Sequence, residues 1–166
     1  LGSLTTILAL AEEFGVQDFI FSSSCSVYGD VAKLPVDEET PWSKAASPYA
    51  YTKQIGEQII QDFVANEAVK LNCVALRYFN PVGAHISGLI GENPSNPPTS
   101  LVPIITRTAV GIIPQMSVWG NTYLTRDGSC IRDYIHVSDI AEAHLVAMKY
   151  LKNNSKNTKF DVFNLG

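Results

Sequence analysis

No G-x-G-x-x-G motif joins a strand to a helix anywhere in these 166 residues. A dinucleotide site built from them alone therefore lacks its phosphate cradle. Cysteine is scarce, and Cys25, Cys73 and Cys130 are widely spaced. That spacing excludes a zinc framework and a disulfide scaffold, and reads as reduced thiols in a cytosolic protein. No apolar run approaches the roughly 20 residues that cross a bilayer, so no membrane partner is expected. Charged residues are 17% of the chain and the net charge is −4, which argues against nucleic acid as a partner. His85, His136 and His144 show no ligand spacing, so no metal is expected and each is read as structural. There is no internal repeat or low-complexity segment. The sequon Asn153-Asn154-Ser155 reads as a chance match.

What is present has the size of one domain, able to bury about two-thirds of its unfolded surface. Apolar spacing near 3.6 over residues 3–14, followed by Gly15, predicts a helix and its stop. Asp18-Phe19-Ile20-Phe21-Ser22-Ser23-Ser24 reads as a buried strand that turns polar at its carboxyl end. Residues 25–46 read as a loop, with Asp37, Glu38 and Glu39 on a solvated surface. Ser47 suits an N-cap and Pro48 the first helical position. That helix is expected to run to about Asn66 and to bury Ile55, Ile59 and Phe63. Leu71 to Phe79 is a second strand, ended by Asn80-Pro81 because proline cannot donate to a ladder.

Residues 81–134 are rich in Gly, Pro, Ser and Asn. They are expected to form a lobe over the site, with a short helix at 100–110 and extended pieces at 116–119 and 131–135. From Val137 the pattern is helical again, with Asp139 and Glu142 at capping-box spacing, and 160–165 is a last strand. The alternation implies a parallel sheet covered by helices, with ligands outside the strands' carboxyl ends. The expected division is 1–80, 81–134 and 135–166. The chain starts inside a helical pattern, its first methionine is Met116, and it stops directly after a strand. It is therefore expected to be a piece of a larger chain.

The chemistry sits at the start of the second helix. Tyr49 and Lys53 are one turn apart, so phenol and ammonium project from one face. A phenol beside an ammonium ionises more easily and can then take a proton from an alcohol. That is the chemistry of reversible hydride transfer at a carbinol carbon. Free tyrosine titrates near 10, so ionisation near pH 7 needs about 4 kcal/mol, part of which the lysine can supply. Such pairs are common on solvated helices. This one is set apart by its helix start, the preceding Ser22-Ser23-Ser24 and the ligand edge of the sheet. Tyr51 lies about 200° around the helix and is expected to face away. Ser22 and Ser23 can equally satisfy backbone groups at a strand end, whereas Ser24 can share an alcohol with Tyr49. Arg132 is either a partner of Asp133 or Asp139 or a phosphate clamp.

Phe21-Ser22-Ser23-Ser24-Cys25-Ser26-Val27-Tyr28-Gly29 and Ser47-Pro48-Tyr49-Ala50-Tyr51-Thr52-Lys53 resemble the extended short-chain dehydrogenase/reductase family. Leu76-Arg77-Tyr78-Phe79-Asn80-Pro81-Val82-Gly83-Ala84-His85 is similar to its UDP-glucose 4-epimerase branch. So is the stretch from Val118-Trp119-Gly120-Asn121 through Thr125-Arg126-Asp127-Gly128 to Arg132-Asp133-Tyr134-Ile135-His136-Val137. The tyrosine–lysine pair marks only the superfamily; the longer segments are more specific, and the similarity covers nearly the whole chain. It implies an α/β fold: the carboxyl-side part of a Rossmann-like parallel sheet with helices on both faces, plus a loop-rich substrate lobe. It also implies tightly held NAD, UDP-glucose or UDP-galactose as substrate, and inversion at C4 through a 4-keto sugar. The enzyme would be cytoplasmic and, at full length, a homodimer.

In that resemblance Tyr49 would be the base at the sugar's 4-hydroxyl. Lys53 would hold the nicotinamide ribose and favour the ionised phenol, and Ser24 would bridge the same hydroxyl. Phe79 would line the nicotinamide pocket with Ser22 nearby. Asn80, Ser100 and Leu101 would contact the UDP-sugar, Arg132 would pair with the diphosphate, and the backbone around Ser117 and Trp119 would hold the uridine.

Departures from the pattern are plain. The family's glycine-rich loop, ribose-binding acid and carboxyl-terminal substrate ligands have no counterpart among these residues. Thr99-Ser100 stands where relatives usually carry an asparagine pair, although Ser100 can still donate to a phosphate oxygen. Pro114 interrupts a segment that is usually more polar. A nucleotide-sugar 4,6-dehydratase carries an Asp-Glu pair after the strand for its elimination; Cys25 and Ser26 stand there and cannot act so. A uronate epimerase or a decarboxylase stays open, while Asn80-Pro81-Val82-Gly83 favours a neutral hexose. An inactive fragment or a folded interaction module is the alternative from another class, motivated by the missing cradle.

Overall fold

The computed structural model describes residues 1–154 and 159–166, the side chain of Asn154 excepted. The sequon's Asn154 side chain and Ser155 thus lie outside the described residues. The elements are α1 (Gly2–Glu13), β1 (Asp18–Ser24), a 3-10 turn (Cys25–Tyr28), α2 (Pro48–Val64) and β2 (Asn72–Tyr78). After them come β3 (Asn80–Val82), α3 (Leu101–Ala109), β4 (Tyr134–His136), α4 (Val137–Asn154) and β5 (Phe160–Leu165). The chain divides into two compact units, Leu1–Phe79 with Ile140–Gly166, and Asn80–Asp139.

In the first unit β1, β2 and β5 form a parallel sheet in that order. Period-two alternation gives the sheet two apolar faces. Phe19, Phe21 and Cys73 pack with Leu8 of α1 and with Ile60 and Val64 of α2. Ile20, Val74, Leu76 and Phe163 pack with Ala147 and Leu151 of α4. The sheet is therefore covered on both sides, which is the α/β class expected. Gly56 lets α2 lie close on β1: a Cβ there would stand 2.7 Å from the Phe21 ring. Ser47 accepts from the Ala50 N–H at 3.1 Å and Pro48 opens α2, as their residue types dictate.

Several local expectations need correction. The face of α2 turned to the core is Ala50, Gly56, Glu57, Ile60 and Val64; Ile55, Ile59 and Phe63 are only half-buried. The 25–46 segment opens with a 3-10 turn, because Ser24 accepts from Ser26 N–H and caps it. In the second unit Asn80-Pro81 does not simply end a strand. Asn80–Val82 pairs in parallel with Tyr134–His136 as a two-stranded sheet, whose edge tolerates a proline. No strand occurs at 116–119 among the described residues. Asp139 lies in the first turn of α4 rather than at its cap, and the His136 ring accepts from Ser138 N–H instead.

Candidate functional site

Tyr49 is the second residue of α2, at the carboxyl edge of the sheet. Its side chain is 57% exposed, and its hydroxyl has no hydrogen-bond partner among the described residues. One turn on, the Lys53 ammonium lies 5.5 Å from the centre of the Tyr49 ring and 5.3 Å from that of Phe21. It donates to the Ser22 carbonyl at 2.7 Å. Partial burial lowers the Lys53 pKa from its usual 10.5. Tyr51 is just as exposed, at 58%, so openness alone does not separate the two phenols; the lysine does.

Ser24 is nearly buried, and its Oγ accepts from Ser26 N–H at 3.2 Å and from the Ser26 hydroxyl at 3.0 Å. Its own proton remains available as a donor. The Ser22 hydroxyl accepts from Tyr78 at 3.0 Å. The same phenol meets His144 Nε2 at 2.9 Å, while His144 Nδ1 donates to the Ile140 carbonyl at 2.7 Å. Phe79 is half-buried just beyond β2, and its N–H donates to the Leu165 carbonyl at 3.0 Å. Tyr49, Lys53, Ser22, Ser24 and Phe79 thus all belong to one unit and to the ends of adjacent elements.

The remaining candidates belong to the second unit. Asn80 donates from its backbone and from Nδ2 to the Asp133 carbonyl, at 3.2 and 2.6 Å. Ser100 stands at the N-cap of α3 but makes no side-chain capping bond, and Leu101 opens that helix about half-exposed. Ser117 and Trp119 are exposed in irregular chain. Arg132 is exposed and donates to the Ile131 carbonyl at 3.3 Å. Among the described residues it makes no ion pair with Asp133 or Asp139, so the salt-bridge alternative falls. Gly83, with φ 98°, passes the His136 ring where a Cβ would collide.

Sequence reasoning missed a buried polar cluster. Glu57 and Arg77 are 1% and 3% exposed and form a two-pronged ion pair, with Nε–Oε1 at 3.0 Å and Nη2–Oε2 at 2.7 Å. Ser23, which the sequence leaves open between a backbone-satisfying hydroxyl and a site residue, donates to Glu57 Oε1 in a short hydrogen bond. Burial opposes the Arg77 charge, but the hydrogen bonds and charge of Glu57, then those of Tyr28, hold its pKa above the ordinary value. A charged residue inside the otherwise apolar Cys73-Val74-Ala75-Leu76-Arg77 run was the available clue.

A parallel sheet covered by helices on both faces places the first unit among Rossmann-like α/β proteins, with the tyrosine–lysine pair beside the sheet. The chain belongs to the NAD dependent epimerase/dehydratase family, whose model matches residues 2–166. It is 47% identical over 161 residues to a UDP-glucose 4-epimerase of Dictyostelium discoideum, covering 97% of this chain and 46% of that one. It is 45% identical over 165 residues to the UDP-glucose 4-epimerase of Drosophila melanogaster, covering 99% and 46%. The crystal structure of the Bifidobacterium longum UDP-glucose 4-epimerase in complex with NAD+ and UDP superposes with a TM-score of 0.87 at 41% identity, covering 99% of this chain and 48% of that one. The chain spans about half the length of the curated relatives it matches.

Proposed function

We propose that this chain carries the acid–base centre and the substrate-binding lobe of an NAD-dependent enzyme that inverts C4 of a UDP-hexose, interconverting UDP-glucose and UDP-galactose. One observation carries the reading. The open Tyr49 phenol has the Lys53 ammonium 5.5 Å from its ring, and that ammonium is pinned to Ser22 at the strand edge. The names of the relatives, UDP-glucose 4-epimerases, support the choice of sugar nucleotide.

The residues present suit a nicotinamide nucleotide. Lys53 spends one of its three N–H donors on Ser22, which leaves two for ribose hydroxyls. Ser22 and Phe79 stand at neighbouring strand ends. NAD, when bound, supplies the hydride acceptor for C4 and its donor on return. Tyr49 takes the proton from the sugar's 4-hydroxyl and gives it back, while the Lys53 charge favours the phenolate. Ser24, with its lone pairs engaged by Ser26, donates its proton to the same sugar oxygen. Residues 81–134 bind the UDP moiety. Asn80, Ser100, Leu101 and the backbone near Ser117 and Trp119 contact sugar and uridine, and the exposed Arg132 fork meets the diphosphate.

The enzyme works in the cytoplasm as a homodimer; the wide spacing of its three cysteines in sequence suits a reducing compartment. The test is UDP-galactose turnover by the full-length protein with NAD, set against its Tyr49→Phe variant. Comparable rates would remove Tyr49 from the mechanism.

A further inference from the structure

A polar row crosses the sheet one residue short of its carboxyl edge. Ser23, Arg77 and Asn164 are register partners on β1, β2 and β5. Side chains from outside the sheet stitch this row together. Glu57 of α2 accepts from Ser23 and from two nitrogens of Arg77. Arg77 Nη1 donates to the Tyr28 hydroxyl at 2.8 Å, and that hydroxyl donates to Asn164 Oδ1 at 2.6 Å. The guanidinium also lies over the Tyr28 ring, 4.8 Å from its centre.

Stability does not account for this cluster. Burying two ions costs free energy that their attraction barely recovers, and well-packed apolar residues commonly do as well. What a hydrogen-bonded pair adds is position: apolar surfaces slide, whereas donor–acceptor distances tolerate only a few tenths of an ångström. The placement of Glu57 gives that property a use. It lies one turn beyond Lys53 and two beyond Tyr49, on the same helical face. Lys53 grips the Ser22 carbonyl and Glu57 grips the hydroxyl of the next residue, Ser23. The helix is thus tied to consecutive residues of β1 by two side chains one turn apart, which fixes both its slide and its rotation.

We infer that Glu57, acting through Ser23 and Arg77, is a positioning residue that sets the register of α2 on β1 and so holds Lys53 and Tyr49 at the strand edge. It touches no substrate. Its effect on turnover rests on the function proposed above; its effect on Lys53 does not.

The Lys53 ammonium is therefore the decisive readout. In protein labelled with 13C at lysine Cε, its resonance is assigned with Lys53→Arg and titrated in three backgrounds. Ser23→Ala removes one hydroxyl and leaves the ion pair. Glu57→Gln keeps the shape without the charge. Glu57→Leu with Arg77→Met replaces the pair by apolar groups and guards against simple unfolding. Where they fold, Ser23→Ala and the charge-conserving double variant move the Lys53 midpoint up toward that of a solvated lysine; in Glu57→Gln the lost anion acts against that rise, so that variant is read against the double variant. In the full-length protein kcat for UDP-galactose falls about tenfold with KM within about twofold, the mark of misplacement rather than lost binding. Unmoved Lys53 titration in the folded variants overturns the inference. Shifted titration in a protein whose wild type turns over no UDP-galactose would uphold the inference and sink the proposed function.

Discussion

The two compact units of this chain are stabilised in different ways. In the first, apolar side chains from both sheet faces are buried: Leu8, Ile60, Leu71, Val74 and Leu76 are each at or below 1% exposed. In the second, Pro103 is the buried residue of α3, while Ile86, Leu89, Trp119 and Leu124 are at least 86% exposed. Its shape comes from local polar contacts instead, such as Ser87 with His85 and Ser129 with Asp127. The Asp127 carboxyl is held below its usual range by the Ser129 hydroxyl and N–H. The contrast separates two tasks. The proton transfer proposed for Tyr49 and Lys53 needs a rigid base, which the sheet provides. A surface of uncovered apolar and cationic side chains is suited to meeting a ligand.

The strongest challenge to this contrast is a cut through the buried cluster. Arg77→Met should destabilise the protein by about 3–5 kcal/mol in urea unfolding, because it strands the Glu57 carboxylate in the interior. A loss below about 1 kcal/mol would mean that water reaches Glu57 and that the first unit is less closed than its burial implies. Next comes Tyr49→Phe, which removes one exposed oxygen. Turnover of UDP-galactose should fall roughly 10^3-fold while stability stays within about 0.5 kcal/mol. Tyr51→Phe, on the other side of the helix, should leave both unchanged. A matching loss from Tyr51→Phe would show that the lysine does not choose between the phenols.

The first unit was largely legible in the sequence because its rules are local. A 3.6 periodicity marked α1, short apolar runs marked β1 and β2, and Ser47-Pro48 fixed where α2 begins. The buried Glu57 was not legible: a carboxylate on a helix reads as solvated until its partner is known, and Arg77 arrives a loop and a strand later. The same holds for β3 and β4, whose pairing joins distant residues through a proline-bearing strand that local rules count as a stop. Of the site, the Tyr49–Lys53 juxtaposition followed from helix geometry. The roles of Asn80, Ser117, Trp119 and Arg132 came from segment resemblance, since no periodicity governs irregular chain.

A smaller effect tests how dry the sheet interior is. Burial, reinforced by the Asp18 charge and opposed by that of Lys159, pushes the Cys73 thiol from 9.0 up to about 12. The folded state therefore keeps its proton where the unfolded chain loses it. This contribution to stability is whole below pH 9.0 and is lost as pH rises toward about 12. At pH 10.5 the loss should reach about 2 kcal/mol. Subtracting the unfolding curve of Cys73→Ala from that of wild type across pH 8–11 isolates it. A flat difference would show that the core admits the thiolate. Exposed Cys130 offers the counterpart in the second unit and should react with a thiol reagent in the native state, before Cys73 does.

The smallest change asks the second unit to behave unlike the first. Arg132 and Arg77 are both arginines, yet one is exposed, with a hydrogen bond to its neighbour's carbonyl and its charge near Tyr123, and the other is buried in a full set of partners. Arg132→Lys keeps the charge and discards the planar fork. If the fork clamps a diphosphate, UDP affinity should fall about tenfold, or about 1.4 kcal/mol, by calorimetry on the full-length protein. Unfolding free energy should stay within about 0.5 kcal/mol of wild type, since the side chain is exposed and the lysine keeps its charge. Unchanged UDP affinity would mean that charge alone serves there and that Arg132 is no clamp. A stability loss approaching that of Arg77→Met would reveal partners for Arg132 in the working enzyme, and the division of labour between the two units would fail.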